Sequence, residues 1–254
     1  MIRVLVNGAL GRMGSEVCKK VYSEADLELV GAVDIKEGIV QLGDGVKVTT
    51  DLVAAIEAAK PDVVVDFTRP DVVMGNLRKM LPLGVHAVVG TTGFSDADLK
   101  EVDELARKHN TSLLIAPNFA LGAVVMMKLA CEAAKYFPHV EIIEKHHDNK
   151  LDAPSGTALA LADSVNEAMD GQFEYIYDRS QVRRERGRKE LGISAVRGGS
   201  IVGDHEVIFA GQDEVITFKH TAYSRAVFAK GSVAAAKYLK GRGAGLYDMS
   251  DVLL

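Results

Sequence analysis

Two histidines, a lysine and a helix start fall within twelve residues in the run Glu144-Lys145-His146-His147-Asp148-Asn149-Lys150-Leu151-Asp152-Ala153-Pro154-Ser155-Gly156-Thr157. Histidine exchanges a proton near neutral pH, and lysine in a cationic or desolvated setting does so too. Ser155, Gly156 and Thr157 open a predicted helix, so their backbone N–H groups and the Thr157 hydroxyl make a carboxylate site. The pattern suits proton delivery to a small acid. Two other readings stand beside it. His146, His147 and Asp152 would have to act as metal ligands without a recognised spacing such as H-E-x-x-H, so no metal is expected. Plain loop histidines are the blander reading, which the clustering disfavours.

A second run, Gly8-Ala9-Leu10-Gly11-Arg12-Met13-Gly14, closes an apolar segment and opens a helix. G-x-x-G-x-x-G is a variant of the dinucleotide fingerprint, in which a tight turn brings backbone N–H groups from Gly8 to Met13 to a pyrophosphate at a helix N-terminus. Asp34 stands 20 residues after Gly14, at the end of the next predicted strand. A carboxylate there takes the hydroxyls of an adenosine ribose, which favours NADH. Lys36 suits the 2′-phosphate of NADPH, so both cofactors stay open. Gly90-Thr91-Thr92-Gly93 and Ala116-Pro117-Asn118-Phe119 follow predicted parallel strands, and their small and polar residues suit a nicotinamide ribose and carboxamide.

The elements that must position these residues alternate regularly at first. Strands are predicted over 2–7, 27–34, 62–67, 85–89 and 112–115. Helices are predicted over 12–22, over 51–59 with Asp51 as N-cap, from Thr68-Arg69-Pro70 onward, and over 95–108 with a near capping box at Ser95 and Asp98. After about residue 118 a helix over 121–137, a strand over 140–145 and a helix over 155–169 lead to strands over 193–197, 206–210 and 214–220 without helices between them. An amphipathic helix over 224–239 follows. The chain therefore reads as α/β: an N-terminal Rossmann-type, doubly wound parallel sheet plus a second α+β domain with a mixed sheet. The run 179–189 holds six basic residues and reads as a solvated, mobile loop.

Composition excludes several classes. The 254 residues carry 30 Lys+Arg against 35 Asp+Glu, a net charge of −5, which argues against a nucleic-acid or anionic-membrane partner. Cys18 and Cys131 form no C-x-x-C pair and read as small buried hydrophobes. The opening MIRVLVNGAL lacks the features of a signal peptide, and the most apolar stretch, 120–134, is broken by Lys128 and Glu132, so a cytoplasmic location is expected. No tyrosine has a lysine four residues on, which weakens a short-chain dehydrogenase. Neither cysteine suits the nucleophile of a semialdehyde dehydrogenase. A sensor that only binds NADH would not need His146, His147 and Lys150 beside a carboxylate cradle.

GALGRMG at 8–14, DFTRP at 66–70, GTTG at 90–93, APNF at 116–119, EIIEKHHDNKLDAPSGTA at 141–158 and VRGGSIVGDHEVIFAG at 196–211 together resemble the 4-hydroxy-tetrahydrodipicolinate (dihydrodipicolinate) reductase family. The departures are Pro117 and the Asp34/Lys36 pair, where some members have glutamate and a basic residue. The resemblance implies NAD(P)H-dependent reduction of that cyclic dicarboxylate in diaminopimelate and lysine biosynthesis. It implies His146 and Lys150 as proton donors, with His147 and the Gly156 and Thr157 amides on a substrate carboxylate. It further implies a homotetramer. The dinucleotide-binding domain is expected over 1–117 with 226–254, and the substrate-binding and oligomerisation domain over 118–225.

Overall fold

Strand β1 (Ile2–Asn7) is almost wholly buried, as aliphatic residues at consecutive positions are when helices cover both faces of a parallel sheet. Gly8, at φ +80°, turns the chain out of β1 towards helix α1 (Arg12–Ser23). The computed structural model describes residues 1–253. The alternation continues through β2 (Leu27–Val33), β3 (Gly38–Val40), β4 (Val46–Thr49), α2 (Leu52–Ala59), β5 (Val63–Asp66), α3 (Pro70–Met80), β6 (His86–Val89), α4 (Asp96–Lys108) and β7 (Ser112–Ile115). Asp51 caps α2 by accepting from the Val53 and Ala54 N–H groups, and Ser95 with Asp98 closes a full capping box on α4. The β3–β4 hairpin was not expected. Its strands are short, and Gly43 and Gly45, at φ +55° and +90°, interrupt the apolar pattern between them.

Next come α5 (Leu121–Ala134), β8 (His139–His146), α6 (Gly156–Glu167), β9 (Glu174–Ile176), β10 (Glu190–Arg197), β11 (Gly203–Ala210) and β12 (Val215–Ala222). Their sheet has the order β12-β11-β8-β10-β9. It is mixed: β10 runs parallel to β8 and β9, and β11 antiparallel to β8 and β12. One face carries Val140, Ile142, Leu191, Ile193, Val207 and Phe209, and packs with Ala130 of α5 and Leu161 of α6 in one core.

The basic run is largely exposed, as expected of a solvated loop, and it is also anchored. Arg179 and Arg186 pair with Glu141, and Arg179 and Arg184 with Glu190. The run is thus pinned by ion pairs to β8 and the start of β10. Cys18 is buried, which pushes its thiol up to about 12, whereas Cys131 is only half-buried and donates to the Ser164 carbonyl.

The chain ends with α7 (Ala226–Leu239), β13 (Gly245–Tyr247) and α8 (Met249–Val252). β13 pairs with the edge strand β7 and completes an eight-stranded sheet of order β13-β7-β6-β5-β1-β2-β4-β3, parallel except for β3. Two compact units result, Met1–Phe119 with Arg225–Leu254 and Ala120–Ser224. Helix α7 is not simply amphipathic. It buries Ala229, Gly231, Ser232, Val233, Ala235, Ala236 and Leu239, because it packs on both α1 and the strands β5 to β7. The contact is close enough that a Cβ on Gly231 would lie 1.8 Å from the Phe119 carbonyl oxygen. Gly231→Ala is expected to force backbone apart and cost about 2 kcal/mol, read as a fall of roughly 4–8 °C in Tm by calorimetry.

Candidate active site

The parallel strands of the first sheet end at one edge, the usual ligand edge of an open α/β sheet. The turn after β1, Asp34 after β2, Gly90–Thr92 after β6 and Ala116–Phe119 after β7 all belong to that edge. A cleft of about 700 Å³ opens there. Gly8, Leu10, Gly11, Asp34 and Lys36 line it, together with Thr68, Asn76 and Lys79, whereas Gly90–Thr92 and Ala116–Phe119 are not in its wall.

The turn's geometry requires its glycines. A Cβ on Gly8 would lie 2.6 Å from the Phe67 carbonyl oxygen, and one on Gly14 would lie 2.0 Å from the Gly8 carbonyl oxygen. Gly90 likewise leaves room for the Phe67 ring, which a Cβ would meet at 2.0 Å. The Gly8 and Ala9 N–H groups donate to the Val33 carbonyl, Gly11 N–H to the Gly8 carbonyl, and Leu10 N–H to the Asp34 carboxylate at 2.8 Å. Gly11 caps α1 without a side-chain acceptor. The first-turn N–H groups at Arg12, Met13 and Gly14 are therefore the ones a helix normally satisfies from outside. The residues present thus fit a dinucleotide. They offer a turn that excludes side chains, an uncapped helix start for an anion, and a carboxylate in the same cleft.

Sequence reasoning assigned no role to Asp66, at the end of β5. It has no exposed surface. Its carboxylate accepts from Asn7 Nδ2 (2.8 Å), Asn76 Nδ2 (3.0 Å) and both the N–H and hydroxyl of Thr68 (2.9 and 2.5 Å). Burial pushes its pKa up against the pull of these bonds. The network ties the end of β1 to α3 and to the loop that carries Thr68, whose carbonyl accepts from the Thr91 hydroxyl.

In the second unit, β8 buries every other side chain, so Val140, Ile142, Glu144 and His146 share one face. The face begins apolar and ends in two ionisable groups. Glu144 has no exposed surface. Its Oε2 lies 2.6 Å from His146 Nδ1 and accepts from Arg197 Nη1 at 2.8 Å. Its Oε1 accepts from Arg197 Nη2 at 2.7 Å and from the Ser155 N–H at 3.0 Å. Burial pushes this carboxyl up, but the bonds from His146 and Arg197 outweigh it and hold it at about 2. His205 stands opposite Glu144 on β11 and edge-on to His146, with 5.2 Å between ring centroids. Burial and the neighbouring His146 push His205 down to about 3, so it is neutral.

The loop after β8 is held in place from β10. Gly198 N–H donates to the His146 carbonyl and Asp148 N–H to the Gly199 carbonyl. Lys150 Nζ pairs with Asp152 at 2.9 Å, and the Asp152 carbonyl accepts from Arg197. His147 is half-buried; Gly156 and Thr157 begin α6. Ser155, expected on a substrate carboxylate, has partners within the protein. Its hydroxyl caps α6 by accepting from Ala158 N–H and contacts His205 Nε2, while its N–H goes to Glu144. Glu144, Arg197 and His205 gained no role from the sequence. The period-two spacing of Glu144, on the predicted strand over 140–145, and His146, just past its end, was the one local signal. Among the described residues no three His, Cys, Asp or Glu side chains are grouped as a metal site needs, and no helix is long and apolar enough to cross a membrane.

Residues 2–119 match the family model of the dihydrodipicolinate reductase N-terminus, and residues 122–253 that of its C-terminus. The chain belongs to the dihydrodipicolinate reductase family. It is 41% identical to 4-hydroxy-tetrahydrodipicolinate reductase of Methanosarcina mazei, over 100% of this chain and 99% of the relative. It is 42% identical to the protein of the same name from Listeria monocytogenes, over 99% and 100%. A dipicolinate-bound dihydrodipicolinate reductase from Paenisporosarcina sp. TG-14 superposes with a TM-score of 0.80 at 34% identity, covering both chains fully. An amine dehydrogenase from Mycobacterium smegmatis, 16% identical with a TM-score of 0.71 over 98% and 95% of the two chains, shares the fold. The family is one of reductases, so the chain is an oxidoreductase with a Rossmann-like first sheet and a mixed second sheet.

A carboxyl held below its ordinary value of 4.5 contributes stability that is complete above that pH and lost as pH falls towards about 2. Arg197→Met leaves Glu144 buried with one cation fewer. It is expected to cost about 3 kcal/mol in urea unfolding at neutral pH, and to remove part of the wild type's loss of stability between pH 4.5 and about 2.

Proposed function

We propose that the chain reduces 4-hydroxy-tetrahydrodipicolinate to tetrahydrodipicolinate with NAD(P)H, in the biosynthesis of diaminopimelate and lysine. The observation that carries this reading is the buried Glu144–His146 pair, 2.6 Å apart, beside the start of α6 and Lys150. It lies in a chain related along its whole length to reductases of that name. A small dicarboxylate substrate accords with the dipicolinate named for the Paenisporosarcina relative.

The N–H groups of Arg12 and Met13 at the start of α1 hold the pyrophosphate against the turn of Gly8, Ala9, Leu10 and Gly11, with Asp34 and Lys36 at the adenosine ribose. Gly90, Thr91, Thr92, Ala116, Pro117, Asn118 and Phe119 serve the nicotinamide end. Bound there, the dinucleotide supplies hydride. Asp34 favours NADH and Lys36 tolerates the extra phosphate, so both cofactors are used.

The substrate's carboxylates meet His147 and the N–H groups of Gly156 and Thr157, where the partial positive charge of the α6 N-terminus adds attraction. His146 faces Glu144 through Nδ1, which leaves Nε2 to give a proton to the reduced ring. Lys150, paired with Asp152, is the second donor. Ser155 acts indirectly, through the cap of α6 and through Glu144. These cations and N–H dipoles are in place before charge develops, which is what lowers the barrier for a dianion. The enzyme works as a cytoplasmic homotetramer built through the second unit.

His146→Ala and Lys150→Ala are each expected to lower kcat on the order of 10²–10⁴-fold while NADH affinity changes by less than about threefold. The check is steady-state oxidation of NADH with substrate generated from pyruvate and aspartate semialdehyde, alongside NADH titration. Near-normal turnover in both variants would remove them from the chemistry. Asp34→Ala is expected to weaken NADH more than NADPH in the same titration, and an equal loss for both would take Asp34 out of the ribose site.

A further inference from the structure

We propose that Glu144 is the positioning residue that makes Nε2, and not Nδ1, the proton-donating atom of His146. The inference rests on the reading of His146 as a proton donor. An ionised carboxylate only accepts hydrogen bonds. With Oε2 2.6 Å from Nδ1, that nitrogen must carry its proton towards Glu144, and Nε2 alone can hand one on. The carboxylate is itself immobile, because it has no exposed surface and takes three further N–H donors, two from Arg197 and one from Ser155. The two forks of Arg197 oppose protonation of Glu144, so the proton on Nδ1 stays on the ring and the transferred proton leaves from the other side. On that side Gly203 keeps the ring unobstructed, since a Cβ there would lie 3.2 Å from Nε2.

The charged and titratable groups around this ring come from every neighbouring element. They are Glu144 on its own strand, Arg197 on β10, His205 on β11, His220 on β12 beyond His205, and Lys150 with Asp152 in the loop. His205 is neutral and offers no competing charge. Among the described residues Glu144 is therefore the one anion paired with the imidazole.

The test compares Glu144→Gln with the wild type in the reductase assay, in two backgrounds. Glu144→Gln keeps the shape and removes the charge, so it should lower kcat about 100-fold or more, with substrate KM and NADH affinity changed by less than about threefold. Placed on His146→Ala, the same substitution should change kcat by less than about threefold, since a residue acting through His146 has nothing left to act on. Glu144→Asp should recover part of the loss.

A 100-fold loss that persists on His146→Ala would overturn the proposal and leave a merely structural role. If Glu144→Gln does not fold, ¹⁵N NMR of the histidine rings in the wild type decides: a proton on Nδ1 of His146 supports the proposal, and the Nε2–H tautomer with bare Nδ1 overturns it. Absence of reduction by the wild type itself would instead overturn the reading of the function, and the donor role with it.

Discussion

A carboxylate with no exposed surface is the constraint around which the second unit is organised. Moving an isolated charge out of water costs many kcal/mol, so a buried Glu144 persists only if every lone pair is matched. The matching donors come from three separate pieces of chain: His146 two residues on, Ser155 at the start of α6, and Arg197 at the end of β10. Meeting that one requirement fixes the orientation of the imidazole, the entry angle of α6 and the course of the loop between them. It also explains why a sheet face that is apolar at Val140 and Ile142 turns polar at its end without loss of order.

The first unit solves a related problem with backbone. The edge where its parallel strands end needs side chains absent at Gly8, Gly14 and Gly90, where backbone and the Phe67 ring come too close for a Cβ. It also needs one buried acid, Asp66, to knit β1, α3 and the Thr68 loop together. Glycine provides the approach and Asp66 the rigidity. Gly231 repeats the device against the Phe119 carbonyl, where α7 returns.

Much of this was legible from contiguous residues. The glycine turn after β1, the helix start at Gly156, β1, β7 and the caps at Asp51 and Ser95 follow from local pattern. Residues whose meaning lies in register were not legible. His205 reaches the site because β11 pairs it with Glu144, and Arg197 because β10 pairs it with His146. No spacing in the chain announces either pairing. Ser155 reads as a ligand contact because it opens a helix; its hydroxyl also caps α6 and its N–H also serves the buried Glu144, which no local pattern announces. Arg179, Arg184 and Arg186 looked like a free basic run because their partners, Glu141 and Glu190, sit on strands the run itself does not belong to.

Family membership fixes the class of reaction. Under the proposed reading, one unit holds the dinucleotide and the other binds the anion and supplies the proton. The most direct test of the central claim is isotopic. The chain is supplied with NADH deuterated at the transferable position and with the condensation product of pyruvate and aspartate semialdehyde, and the product is examined by mass spectrometry. The account predicts tetrahydrodipicolinate carrying one added deuterium, with NADH consumed in equal amount. Consumption without deuterium in the product, or no consumption at all, would contradict it.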